Sequence, residues 1–181
     1  DGLRAFAWVH ADADALGIDP GRIAVAGDSF GGNLSAVVAL AAGRGEAPPC
    51  AAALLIYPWL DAELSSPSIA TFATGFLLTR ATMDWYRAHY LPEPAARTDP
   101  RASPLLAPDL AGMPPTIIMT AGFDPLRDEG RAFADRLSEC GGDVTYRCAD
   151  SMIHGFLNFS ASLPAAGAFL GGAIDLLRAR L

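Results

Sequence analysis

The sequence predicts an α/β domain with a mainly parallel sheet of about four strands flanked by helices. Three observations carry that reading. Four short apolar runs, Arg22–Ala26, Ala52–Tyr57, Thr116–Ala121 and Val144–Cys148, contain Ile, Val, Leu or Tyr and are bounded by Gly, Pro or Asp. Apolar residues at helical spacing of three to four fill the intervals between and after them. A chain of 181 residues, at roughly 150 per domain, forms a single domain over 1–181. Strands that alternate with helices are joined by crossovers, so they lie parallel.

The opening helix covers Leu3–Leu16, and Gly17 with Asp19-Pro20 closes it. The first strand leads through Gly27-Asp28-Ser29-Phe30-Gly31 into a helix over Gly32–Ala42, where Leu34, Val37, Val38 and Ala41 share a face. After the second strand, the region around 62–92 reads as a cap-like helical insertion. Its helix at Thr79–Leu91 carries Met83, Trp85, Tyr86 and Tyr90. Eight of the 14 prolines fall between Pro92 and Pro125, which predicts a long, irregular surface connection. The third strand precedes a helix containing Leu126, Gly130, Phe133 and Leu137. The fourth is followed by a tail helix with Ala166, Phe169, Leu170, Ala173, Ile174, Leu177 and Leu181, and Ser162 with Pro164 marks its start. No internal repeat, low-complexity tract or domain linker interrupts the pattern.

Composition narrows the function classes. Apolar residues make up 51% of the chain and charged residues 18%, with a mean hydropathy of +0.26, so disorder and coiled coil are excluded. No apolar run approaches the 18 or so residues of a membrane span. The formal charge of −7, from 13 Lys+Arg against 20 Asp+Glu, would repel a phosphate backbone, so nucleic acid is not an expected partner. The three cysteines Cys50, Cys140 and Cys148 are odd in number and lack CxxC spacing. That argues against a disulfide framework or a cysteine-rich zinc site, and it fits a reducing, cytoplasmic compartment. The polar-mixed opening Asp1-Gly2-Leu3-Arg4 does not read as a signal peptide. Without an initiator Met, the numbering is expected to begin inside something larger or after a trimmed start.

Gly27-Asp28-Ser29-Phe30-Gly31 matches the G-x-S-x-G pattern, directly after a strand and directly before a helix. A sharp strand-to-helix turn there lifts the serine oxygen above the strand end. The glycines permit the strained turn, and the helix N-terminus supplies positive potential for an anionic intermediate. A plain glycine-rich turn with a helix-capping serine is the alternative. A serine nucleophile needs a base. His154, in the loop Asp150–Phe156 after the last strand, is favoured over His10, which lies in mid-helix, and His89 in the aromatic helix. Asp124, shortly after the third strand, is the favoured acid, giving the chain order Ser29, Asp124, His154. Asp61 is the runner-up, while Asp128 and Glu129 are expected in the first turn of the next helix, where carboxylates complement the dipole.

Further strings join these: Leu16-Gly17-Ile18-Asp19-Pro20, Gly31-Gly32-Asn33, Tyr57-Pro58 with Asp61, and Asp99-Pro100-Arg101-Ala102-Ser103-Pro104-Leu105. Asp124-Pro125-Leu126-Arg127-Asp128-Glu129-Gly130 and Ile153-His154-Gly155-Phe156 complete the set. Through them the chain resembles, nearly end to end, the hormone-sensitive-lipase-like family of bacterial esterases and lipases, a branch of the α/β-hydrolases. The resemblance implies the C-terminal portion of an α/β-hydrolase fold, with Ser29 as nucleophile, Asp124 as acid and His154 as base. It also implies hydrolysis of short- to medium-chain acyl esters of small molecules, without metal or cofactor. Phe76, Leu77, Leu78, Trp85 and Tyr86 are candidates to line an acyl pocket or cap, with ordinary core packing as the competing role.

Two departures from the family pattern stand out. The family usually has Ala after the nucleophile, where this chain has Phe30; its N–H still suits an oxyanion hole, while its ring narrows the site. The family also carries a His-Gly-Gly-rich loop upstream of the elbow, and no such string occurs here. One oxyanion donor is worth about 2.7–4 kcal/mol, so weak activity is expected of these residues by themselves. A catalytically impaired fragment and a non-catalytic small-ligand binder are the alternatives. With the elbow strand first in the chain, one of its edges is expected to be unpaired, to be closed by oligomerisation or by a missing N-terminal segment.

Overall fold

In the computed structural model, which describes residues 1–181, four strands form one sheet: Val25–Asp28 (β1), Ala53–Ile56 (β2), Thr116–Phe123 (β3) and Val144–Ile153 (β4). They pair in chain order, and every pair is parallel, with Val25 beside Ala53, Ala53 beside Thr116 and Thr116 beside Val144. The helices are Gly2–Ala11 (α1), Ala13–Leu16 (α2), Phe30–Gly43 (α3), Pro67–Thr71 (α4), Arg80–Tyr90 (α5), Arg127–Glu139 (α6) and Pro164–Arg178 (α7). The α/β architecture expected from the sequence is the observed one.

Side-chain alternation along the buried strands divides the core in two. Ala53, Leu55 and Ile118 face α3 and α6, meeting Ala36, Ala39, Leu40, Phe133 and Leu137. Leu54, Ile56, Ile117 and Met119 face α7, meeting Phe156, Ala166 and Ala173. A third cluster of Trp59, Leu64, Ile69, Met83 and Leu126 fastens α4 and α5 to the loops after β2 and β3.

Several boundaries differ from the sequence reading, each for a local reason. The first strand starts later than Arg22 because Pro20–Arg22 forms a 3-10 turn, capped by the Asp19 side chain accepting from the Gly21 N–H at 2.9 Å. The single opening helix is broken at Asp12, with φ −100° and ψ 15°, and Gly17 at φ 68° then ends the second piece. The fourth strand runs on through Asp150 and Ser151 to Ile153. It lies at the sheet edge, where polar residues face solvent, so it lacks the apolar signature of a central strand. The tail helix starts at Pro164 as expected, with Leu163 rather than Ser162 at the N-cap. Thr79 caps α5, its Oγ1 accepting from the Thr82 N–H at 3.1 Å.

All three loops that follow β1, β3 and β4 leave the sheet at its C-terminal edge, the end where parallel sheets gather functional groups. Asn33, in the first turn of α3 and 2% exposed, ties the start of that helix to two remote loops. Its Nδ2 donates to the Trp59 carbonyl at 2.7 Å and to the Ala102 carbonyl at 2.8 Å. Replacing it with Leu strands two buried carbonyls, so Asn33→Leu should lower the unfolding free energy by about 2 kcal/mol or more. Urea denaturation measures this, and a loss under ~0.5 kcal/mol would contradict the assignment.

Candidate active site

Ser29 sits between the last residue of β1 and the first of α3, at φ 52° and ψ −118°. This is sparsely populated space for a residue with a side chain, costing on the order of 1–3 kcal/mol. The turn is tight because α3 starts without a linker. A Cβ on Gly27 would lie 2.2 Å from the Gly31 carbonyl oxygen, so no side chain fits there. Gly31 is different: a Cβ there would meet nothing within 4 Å. The expectation that both flanking glycines are required by the turn is corrected to Gly27 alone. The N–H groups of Phe30, Gly31 and Gly32 open α3 and point their positive ends along the dipole.

Asp124, one residue beyond β3, is fully buried. Its Oδ1 accepts from the Leu126 N–H at 2.8 Å, which orients the carboxylate, and its Oδ2 lies 2.8 Å from His154 Nδ1. His154, one residue beyond β4, is 8% exposed, and its ring leans on Tyr57 with centroids 4.7 Å apart. Its Nε2 is 2.9 Å from Ser29 Oγ. A carboxylate accepts only, so Nδ1 carries the proton donated to Asp124 and Nε2 is left to accept from the serine hydroxyl. Three residues far apart in the chain thus form one hydrogen-bonded line.

The rejected candidates have other partners. Asp61 is fully buried, but its Oδ1 accepts from the Glu63 N–H at 2.9 Å and its Oδ2 from the Ser65 hydroxyl at 2.6 Å, so it builds a turn. His10 stands edge-on to Phe6 with centroids 4.8 Å apart. His89 bonds through Nδ1 to the Trp85 carbonyl at 2.8 Å.

A cleft of about 600 Å³ opens beside Ser29, lined by Phe30, Gly31, Trp59, Leu78 and Asp28 and by Met83, Tyr86, His89 and Tyr90 of α5. Of the five expected pocket residues, Leu78 and Tyr86 belong to this lining. Phe76, Leu77 and Trp85 do not: Phe76 stacks on Phe123 at 5.5 Å, Leu77 is largely exposed, and Trp85 packs outward against Tyr86 and His89. Met83, Tyr86 and Tyr90 are spaced by three and four, the signal in the sequence that marks one helix face.

Glu129 has a role the sequence reading did not contain. It lies in the first turn of α6 as expected, yet it is fully buried. Its Oε1 accepts from the Leu60 N–H at 2.5 Å and the Asp61 N–H at 3.3 Å, while Oε2 has no partner. Burial pushes its carboxyl well above the usual range, and the nearby Asp61 and Asp124 carboxylates add to the rise. A nonpolar setting likewise raises the Tyr57 phenol, whose hydroxyl donates to Asp28 Oδ2 at 3.1 Å.

A family model described as alpha/beta hydrolase fold matches residues 1–158. Over all of its length the chain is similar to the carboxylic ester hydrolase LipN of Mycobacterium tuberculosis, 44% identical over 187 residues that make up 50% of that protein. It is also similar throughout to the carboxylesterase NlhH of the same species, 41% identical over 184 residues, 58% of that protein. Among solved structures, a thermostable esterase from Pseudomonas putida superposes with a TM-score of 0.94 at 39% identity, over 99% of this chain and 57% of that one. The chain spans about half the length of the curated relatives it matches.

A carboxyl group whose pKa is raised by folding stabilises the fold fully below its ordinary value of 4.5. That stabilisation is lost as the pH rises through the folded-state value. Glu129→Gln keeps the Oε1 acceptor and cannot ionise. Its melting temperature should therefore fall less than that of the unsubstituted protein as the pH is raised from 4.5. Calorimetric scans across pH measure this, and parallel curves for the two proteins would contradict it.

Proposed function

The chain belongs to the α/β-hydrolase fold family, and from that premise we propose that it hydrolyses short- to medium-chain acyl esters through Ser29, His154 and Asp124. The resemblance to the hormone-sensitive-lipase-like branch is borne out by the family match and by relatives that are themselves named carboxylesterases. One observation carries the reading: the unbroken line from Asp124 Oδ2 through the His154 ring to Ser29 Oγ, with spans of 2.8 and 2.9 Å.

The chemistry follows from that line. As Ser29 Oγ attacks the ester carbonyl carbon, its proton passes to His154 Nε2, and Asp124 stabilises the imidazolium that forms. The oxyanion receives the Phe30 N–H, at the start of α3. His154 then returns the proton to the departing alcohol, leaving Ser29 acylated. Water, deprotonated by His154, attacks the acyl carbon and releases the acid, and the serine regains its proton.

The lining of the Ser29 cleft by α5 supports a cap role for the region around 62–92. β1 pairs with β2 alone, and the matched relatives are about twice as long. Both facts support a second partner along the free edge of β1, either a strand of a longer polypeptide or another copy of the chain. No helix is long and apolar enough to cross a membrane. The three cysteines are free, which supports a reducing, cytoplasmic setting.

Ser29→Ala should lower turnover of p-nitrophenyl butyrate roughly 10⁴-fold or more and abolish labelling by a fluorophosphonate. Turnover unchanged by the substitution would refute the assignment. Labelling of Ser29 with very slow turnover would mark an intact nucleophile with an incomplete oxyanion hole.

A further inference from the structure

Resting on the esterase reading above, we infer that the Phe30–Tyr90 aromatic pair is a gate that closes the acyl end of the cleft and limits the length of the acyl group. Phe30 follows the nucleophile and Tyr90 is the last residue of α5, yet their rings meet edge to face, with centroids 4.9 Å apart and an interplanar angle of 80°. Both line the cleft. They bridge its floor at the start of α3 to its wall on α5. At 37% and 48% exposed, neither ring belongs to the core, so the contact is not a by-product of folding the domain.

The proton path identifies which part of an ester enters this cleft. His154 Nε2 must reach the leaving oxygen to protonate it, so the alcohol lies on the His154 side of Ser29. His154 is absent from the cleft lining, and neither Phe156 nor Leu157 after it takes part. With the histidine outside its lining, the cleft is left for the acyl chain. Its walls suit that cargo: Trp59, Leu78 and Met83 are apolar, and Phe30, Tyr86 and Tyr90 present rings. A short acyl group stops at the pair, while a longer one must displace it. α5 ends at Tyr90, where Leu91 leaves helical geometry at φ −129° and ψ 70°. The other end of α5 is anchored, with Met83 buried among Trp59, Leu64, Ile69 and Leu126.

The test measures kcat/KM of the full chain for p-nitrophenyl acetate, butyrate and octanoate, which holds the leaving group constant. Tyr90→Ala should raise the octanoate-to-acetate ratio roughly tenfold or more, the scale on which a pocket discriminates chain length. Phe30→Ala should raise it similarly, although its effect on acetate turnover is also open to change beside the oxyanion site. Because either substitution opens the same gate, the double variant should shift the ratio about as far as the larger single change, not by the product of both. Tyr90→Leu and Phe30→Leu, which keep bulk, serve if an alanine variant unfolds, and they should give smaller shifts in the same direction. Acetate turnover with ratios within about twofold of the unsubstituted protein, or shifts that multiply in the double variant, would overturn the gate alone. An unsubstituted protein that neither turns over acetate nor reacts with a phosphonate at Ser29 would overturn the esterase reading and the gate with it.

Discussion

Ser29 holds a backbone conformation that a residue with a side chain adopts only under compulsion, and the source of that compulsion organises the molecule. Its N–H donates to the Ile56 carbonyl at 2.8 Å, and its carbonyl accepts from the Trp59 N–H at 3.2 Å. Both partners belong to β2 and the loop after it, so the turn is held from the neighbouring strand as well as by its own sequence. Asn33 closes the arrangement by donating to the Trp59 carbonyl at 2.7 Å. The parallel pairing of β1 with β2 is therefore what keeps the serine oxygen raised at the sheet edge. Strain at one residue is balanced by hydrogen bonds spread over three elements.

Three buried carboxylates near that edge show how environment assigns roles to like groups. Asp124 has one oxygen on a backbone N–H and the other on an imidazole. Asp61 spends both oxygens on the turn over Glu63–Ser65. Glu129 accepts two backbone N–H groups on one oxygen and leaves the other unpartnered, and its burial raises its pKa. Glu129 also binds the loop after β2 to α6, so the segment beneath the serine and the helix following Asp124 move as one piece.

The aromatic cleft is coupled to the same frame. Met83 of α5 and Leu126, two residues past Asp124, share a buried cluster with Trp59, which follows Tyr57 and Pro58 in the loop holding Ser29. The wall facing the nucleophile is consequently registered to both the acid and the elbow at its inner end. Its outer end is tethered by Arg87, which donates to the Ala62 and Glu63 carbonyls, and meets the start of α3 through the Tyr90–Phe30 ring contact.

Much of this was legible in the chain. Apolar runs bounded by Gly, Pro and Asp mark four strands because burial on both faces demands continuous hydrophobic residues, and the central strands β2 and β3 match them closely. Ser29, Asp124 and His154 were legible because each follows a strand, and a parallel sheet delivers all such positions to one edge. What periodicity conceals is anything decided by contacts across the fold. The extension of β4 was hidden by the polar residues that an edge strand tolerates. Glu129 reads as a helix-dipole carboxylate, and only the approach of the Leu60 and Asp61 N–H groups makes it a buried brace. The expected pocket residues Phe76, Leu77 and Trp85 turned elsewhere because the facing of α5 and of the loop before it is set by packing on Leu126, Trp59 and Phe123. Local spacing determined which residues are available at the sheet edge; tertiary packing decided which of them face one another, since distances between remote segments depend on the core that draws them together.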